Sequence, residues 1–205
     1  MRVWALLAVS VALIGLASCN SMSKEECVAA DWKVIGDADG SAGHDPQERF
    51  AAHVKSCARI KIVPDQTTWF AGYQTGLQRY CTPLNGLSRG EAGDAYYNVC
   101  PVETATGFLR GYSLGQKAHQ WRSRVDSARS EVSSKEMRID QRYNDLKNAK
   151  DDNERRSIRD EIDDLDRDIR RARRDIGDAE YALQDVEREV DWFRRNPNAA
   201  LSQGY

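Results

Sequence analysis

Eleven apolar residues, Ile158, Ile162, Leu165, Ile169, Ala172, Ile176, Ala179, Leu183, Val186, Val190 and Phe193, recur at alternating spacings of four and three. A heptad seam sustained over five repeats commits its segment to a helix with one oily stripe, and that stripe has to be buried on another helix. A second seam lies upstream: Trp121, Val125, Ala128, Val132, Ile139, Leu146 and Ala149, with Lys135 and Arg142 as its two lapses. The two seams are out of register by two residues, a shift that neither a stutter of four nor a stammer of three repairs. A turn explains the offset, and Lys150-Asp151-Asp152-Asn153 is a polar run able to cap a new helix. Residues 121–195 are therefore expected to form an antiparallel coiled-coil hairpin with its tip near 150–153. Facing positions then add up to about 303. Trp192 and Phe193 should lie opposite Arg110 and Gly111, so the first arm should begin near Thr104. Arms of about 45 residues are roughly 65–70 Å long. Asp163/Arg167, Asp166/Arg170, Arg171/Asp175 and Arg174/Asp178 stand at i,i+4 spacing and are expected to support the return arm. Residues 196–205 read as a flexible tail.

The start of the chain carries a different pattern. Met1-Arg2 precedes an apolar run from Val3 to Leu16, too short for a comfortable membrane span, ending in Leu16-Ala17-Ser18-Cys19. This resembles a bacterial lipobox, in which small residues precede a cysteine that is acylated before cleavage. Residues 1–18 are expected to be a lipoprotein signal peptide and Cys19 the lipidation site. Asn20 resembles the residue of lipoproteins sorted to the outer membrane, and several acyl chains on one cysteine anchor stably where a single chain does not. No long apolar run follows.

With Cys19 assigned to lipid, Cys27, Cys57, Cys81 and Cys100 remain. An even number in an oxidising compartment predicts two disulfides. Of three connectivities, Cys27–Cys57 with Cys81–Cys100 is favoured because each bridge joins neighbouring elements. The absence of a Cys-x-x-Cys pair and of Cys/His zinc spacing argues against a metal centre.

Residues 19–120 read as a cysteine-bearing helical domain. Ser23 and Glu26 form a capping box for a helix through Cys27, Val28, Trp32 and Ile35 that Gly36 should end. Pro46 opens a second helix through Phe50, Val54 and Cys57. Asp65 caps a third, carrying Trp69, Tyr73, Leu77 and Tyr80. Residues 82–104 look loop-rich, and a fourth helix starts near Thr104. Gly72-Tyr73-x-x-Gly76 repeats as Gly111-Tyr112-x-x-Gly115, and Gly107 extends the second copy into a stripe. Glycines in a helix cost about 1 kcal/mol each relative to alanine, so they need a reason. Close helix packing supplies one: the two Gly-Tyr faces are expected to pack on each other, and the return arm to dock on the stripe. The segment from Asp37 offers oxygen ligands at EF-hand positions: Asp37, Asp39, Ser41, Asp45 and Glu48. Ala42 in place of the turn glycine and His44 in place of an apolar residue depart from that pattern. His44, Asp45 and His53 are the weaker elements of a hydrolytic reading that lacks a flagged nucleophile.

Cys27-x4-Trp32-x3-Gly36-x2-Asp39-Gly40-x2-Gly43, Gly76-Leu77-x2-Tyr80-Cys81, Gly90-x2-Gly93-x2-Tyr96 and Val99-Cys100-Pro101 together resemble an uncharacterised family of proteobacterial lipoproteins with a domain of unknown function. The resemblance covers about residues 19–120. It implies an envelope location and a helical, disulfide-bearing domain, and it supplies no catalytic residues.

The fold class expected is thus all-α, a small disulfide-stapled helical domain followed by a long antiparallel coiled-coil hairpin. Trp121–Arg195 holds 19 Lys/Arg and 21 Asp/Glu, and Asn20–Gln120 holds 10 and 11. Neither segment has the net positive charge that nucleic acid requires. Arg170, Arg171, Arg173 and Arg174 stand among aspartates as a solvated face, or as contacts for an anionic partner. No cofactor and no enzymatic machinery are expected, since neither a nucleophile–base motif nor a phosphate-cradling loop is visible. The expected role is that of an outer-membrane, lipid-anchored module facing the periplasm, working through envelope protein partners or peptidoglycan. The alternative is an adaptor or regulator of cell-wall enzymes. A monomer is expected, with a homo-oligomer through the coil as the competing state.

Overall fold

A computed structural model describes residues 21–199; the signal segment and Cys19 lie outside the described residues. The described residues form seven helices: α1 (Lys24–Val28), α2 (Trp32–Ala42), α3 (Pro46–Ala58), α4 (Gln66–Tyr80), α5 (Pro83–Ala92), α6 (Val102–Asn148) and α7 (Asp152–Arg195). None is long and apolar enough to cross a membrane.

The Ser23–Glu26 capping box starts α1, but the helix stops after Val28 rather than running on to Ile35. Asp31 interrupts it. Its carboxylate accepts from the Lys33 and Val34 amides at 3.0 and 3.1 Å and so opens α2 as an N-cap. Gly36 does not end a helix; it sits buried in the middle of α2. The stop comes at Gly43, whose φ of 72° is the left-handed conformation that glycine tolerates best. Asp37, Asp39 and Ser41 are therefore helical, so the weak calcium candidate formed with Asp45 and Glu48 is not a loop. Among the described residues no cluster of His, Cys, Asp or Glu is arranged to hold a metal. Residues 83–92, read from sequence as loop, form α5: Pro83 occupies the first turn, Thr82 caps it and Gly93 ends it with φ 77°.

The glycines explain the layering. A Cβ on Gly36 or Gly40 would lie 1.9 Å from Trp69 O or 2.1 Å from Tyr73 O, and one on Gly72 or Gly76 would lie 1.9 Å from Lys33 O or 2.2 Å from Asp37 O. Helices α2 and α4 thus touch backbone to backbone through two reciprocal Gly-x3-Gly pairs. Helices α5 and α6 do the same: Gly86 and Gly90 meet Phe108 O and Tyr112 O at 2.1 and 2.2 Å, and Gly111 and Gly115 meet Pro83 O and Leu87 O at 2.1 and 2.3 Å. The Gly-Tyr faces consequently do not pack on each other, and Gly111 and Gly115 are covered by α5, not by α7. Gly107 faces the Pro83 ring.

The two pairs are copies of one unit. Tyr73 donates its hydroxyl to His44 O, the residue after the Gly43 cap, and Tyr112 donates to Asp94 O, the residue after Gly93, both at 2.6 Å. The Tyr80 ring lies over Gly43 as the His119 ring lies over Gly93. Trp69, Tyr73, Leu77, Tyr80, Phe108 and Tyr112 form the core where the copies meet, with Tyr80 and Phe108 stacked at 5.0 Å. The Cys81–Cys100 disulfide packs into this core, and Cys27–Cys57 lies in a separate cluster with Met22.

Helix α6 runs 47 residues, and α7 runs 44 after the Asp151 N-cap. Lys135 reaches Asp168 at 2.8 Å, Arg142 reaches Glu161 at 3.5 Å, and the Arg110 guanidinium lies 5.1 Å over the Phe193 ring. Rising numbers on α6 thus meet falling numbers on α7. Ile158, Ile162, Leu165, Ile169, Ala179, Val186, Val190 and Phe193 are buried between them, with Val125, Val132 and Ala149 from the other side. Lys135 and Arg142, the lapses in the seam, keep their charges at its edge by pairing across it. The four expected i,i+4 pairs of α7 do not form among the described residues. Arg167 pairs with Asp164, Arg188 with Asp185 and Arg194 with Asp191, all one turn back at i,i+3. Of the expected tail, Pro197 and Ala199 accept from Arg110 through their carbonyls, and residues 200–205 lie outside the described residues.

Candidate functional site

A buried charge in one copy of the repeated unit has no counterpart in the other. Asp39 of α2 is 4 % exposed. The residue in the same place on α5 is Arg89, which turns to the surface and pairs with Asp94. The fold of the unit therefore does not require a buried carboxylate, and its neighbours show what holds it. Oδ1 accepts from Arg49 Nε at 2.6 Å; Oδ2 accepts from Trp69 Nε1 at 3.0 Å and from His53 Nε2 at 2.7 Å. Burial pushes the Asp39 carboxyl up, and the hydrogen bonds from His53, Arg49 and Trp69 outweigh it, leaving the group below its ordinary value.

The network continues outward. An ionised carboxylate only accepts, so His53 Nε2 carries a proton towards Asp39, and Nδ1 on the other side of the ring lies 3.0 Å from Ser21 Oγ. Ser21 Oγ lies 3.1 Å from Ser56 Oγ, and the Ser21 amide donates to Ser56 Oγ at 3.0 Å. Arg49, His53 and Ser56 share one face of α3, so a single helix presents the whole set to α2 and to the incoming chain. His53 is 1 % exposed, and a cleft of about 450 Å³ lined by Met22, Ala30, Val34, Ile35 and Ala38 opens beside it.

Serine, imidazole and carboxylate in line have the connectivity of an activated nucleophile. Here the serine hydroxyl is shared with Ser56, and the serine backbone is itself tied into the network. The physical result is a clamp: three hydrogen bonds hold Ser21, the first described residue, against α3. Next to it Met22 is buried, and its carbonyl accepts from Arg59 at 2.8 Å.

The hydrolytic grouping of His44, Asp45 and His53 is taken apart. Asp45 caps α3 through the Gln47 and Glu48 amides, His44 offers its carbonyl to Tyr73, and His53 faces Asp39. Glu48 is exposed on α3. The spacing Arg49-x3-His53-x2-Ser56 is the signal that reveals the polar stripe.

A second feature lies at the foot of α6 and α7, a groove of about 900 Å³ lined by Arg110, Leu114, Lys117, Arg188, Trp192 and Phe193. Trp192 is 47 % exposed there. The foot itself is fastened: Leu87 of α5 packs with Ala118, Val186, Val190 and Phe193, and Glu91 takes Arg194 at 2.8 Å and Arg122 at 3.3 Å.

Comparison with curated proteins finds no match, and none is found among solved structures. A family model described as a protein of unknown function (DUF2799) matches residues 31–117, a stretch that holds Asp39, Arg49, His53 and all eight reciprocal glycines and leaves α7 outside, consistent with an uncharacterised family.

Proposed function

We propose that the protein is an envelope lipoprotein that presents a stiff coiled-coil arm to its partners. In this reading residues 1–18 direct export and Cys19 carries the acyl chains. The glycine-paired domain sits at the periplasmic face of the outer membrane. Helices α6 and α7 form an antiparallel coiled-coil hairpin that reaches away from it. The observation that carries the reading is the double hold of Glu91 on Arg122 and Arg194, together with Leu87 in the apolar cluster at the foot of α7. A hairpin fixed in this way transmits its orientation to the domain, whereas one on a loose joint does not. Beyond Arg122, residues 123–148 of α6 extend about 40 Å with α7 beside them. Such an arm offers two long charged faces and, at its foot, an apolar groove with an exposed Trp192, the kind of residue that anchors protein interfaces.

The experiment is photocrosslinking in living cells from positions along both helices, compared with a chain whose arms are shortened by matched heptads, 130–136 and 167–173. The reading expects adducts with the same envelope proteins from several arm positions and their loss on shortening. Recovery of unchanged partners by the shortened chain contradicts it.

A further inference from the structure

An apolar, basic turn stands where the chain enters the domain. Helix α3 ends at Ala58, and the next residues fold back tightly, with the amides of Ile60 and Ile62 both directed to Cys57 O at 3.1 and 3.2 Å. Lys61 takes φ 59°, an uncommon conformation for a long side chain, so the turn is held by its surroundings rather than by local preference. The Cys27–Cys57 disulfide fixes its base. What the turn displays is oily: Val63 is 86 % exposed, Val28 of α1 is 73 % exposed, and Ile60 and Ile62 line a shallow hollow with Val28, Lys24 and Glu25. Lys24 lines it and Lys61 stands in the turn itself, both exposed, and Glu25 is the one acidic group that lines the hollow; Glu26 is turned back onto the Ser23 amide and Asp65 caps α4.

Position gives this surface its meaning. Ser21 is clamped to His53 and Ser56, and the Met22 carbonyl is held by Arg59, the residue next to Ile60. Cys19 precedes Ser21 by two residues, a span of at most about 7 Å. Resting on the reading that Cys19 is acylated, the residue that carries the lipid lies within that distance of the clamp, and the bilayer surface follows close to the turn. We propose that Val28 and the turn Ile60–Val63 form a second, non-covalent membrane contact, inserted among the headgroups of the bilayer that holds Cys19. Apolar tips reach the acyl boundary while the lysines keep their charges among the phosphates. The domain then sits on the membrane in one orientation, and the arm leaves it in one direction.

The test uses the full protein, purified from membranes and reconstituted into vesicles of phosphatidylethanolamine and phosphatidylglycerol, with nitroxide labels at Val63→Cys, Val28→Cys or, as the remote control, Arg159→Cys. All three positions are exposed, so the labels leave the core intact. Intact mass reports acylation separately. The expected result is an oxygen-to-nickel accessibility ratio about threefold higher at 28 and 63 than at 159, as for side chains at the headgroup boundary. Water-like ratios at 28 and 63 in protein that carries its acyl chains overturn the membrane contact and leave the lipoprotein reading standing. A mature chain without acyl mass at Cys19 overturns both.

Discussion

Asp39 illustrates how a single residue is read by its surroundings. In sequence it stands beside Gly40 and suggests a turn; in the fold it is helical, buried and bound by three donors. Replacing His53 by alanine removes one donor and opens a cavity, and the expected loss is about 3 kcal/mol in urea unfolding. The pH dependence follows from the direction of the shift. The folded-state carboxyl titrates below its ordinary value of 3.8, so the native state binds fewer protons than the unfolded chain in that range. The stabilisation is complete above that ordinary value and is lost as pH falls through the lower, folded one. Asp39→Asn should lack this component, so its stability deficit against the parent should shrink as pH drops below 3.8; a deficit that stays constant contradicts the assignment. Glycines give a matched pair of opposite sign. A methyl group on Gly72 would lie 1.9 Å from Lys33 O, and Gly72→Ala should cost about 3 kcal/mol because two backbones have to part. Gly177 meets nothing within 4 Å, and Gly177→Ala should gain about 0.5–1 kcal/mol from helix propensity alone. Thermal melts of the two variants check both signs.

At the scale of elements, the sequence was legible where a pattern is periodic or a cap is chemical. The Asp151 break and the Asp65 and Pro46 helix starts could be read from the chain; the cysteine pairing was one favoured choice among three, and it is the one that forms. It misled where glycine was taken as punctuation. Gly36 and Gly86 look like helix breakers in isolation, and their use becomes visible only when Gly36-x3-Gly40-x2-Gly43 is set against Gly86-x3-Gly90-x2-Gly93, fifty residues on. Repetition at that offset marks a paired helix whose end is the third glycine. Asp39 was legible as a charge but not as a site, because its partners come from α3, α4 and the entering chain. The disulfides hold this arrangement. The spans of 30 and 19 residues that they close correspond to about 3.5 and about 3 kcal/mol of unfolded-state entropy, so reduction of Cys27–Cys57 should destabilise at least as much as reduction of Cys81–Cys100. Single-pair Cys→Ala variants compared by denaturant midpoint measure the difference, and a larger loss at Cys81–Cys100 contradicts the loop-length argument.

The described residues join a doubled, glycine-paired unit, which takes in the first part of α6, to a helix pair that runs on for about 40 Å over residues 123–148 of α6. We propose that α6 and α7 fold back on each other within one chain and leave the domain as a single arm. Spin labels at Asp126→Cys and Gly177→Cys, both exposed and, like Lys135 and Asp168, adding up to 303 along the pair, measure this directly by dipolar spectroscopy on protein diluted with unlabelled chain. The account predicts one narrow distance of roughly 20 Å, the label arms added to an interaxial separation of about 10 Å, unchanged by dilution. A signal that disappears on dilution, or a distribution centred beyond about 40 Å where the helices no longer pack, contradicts it.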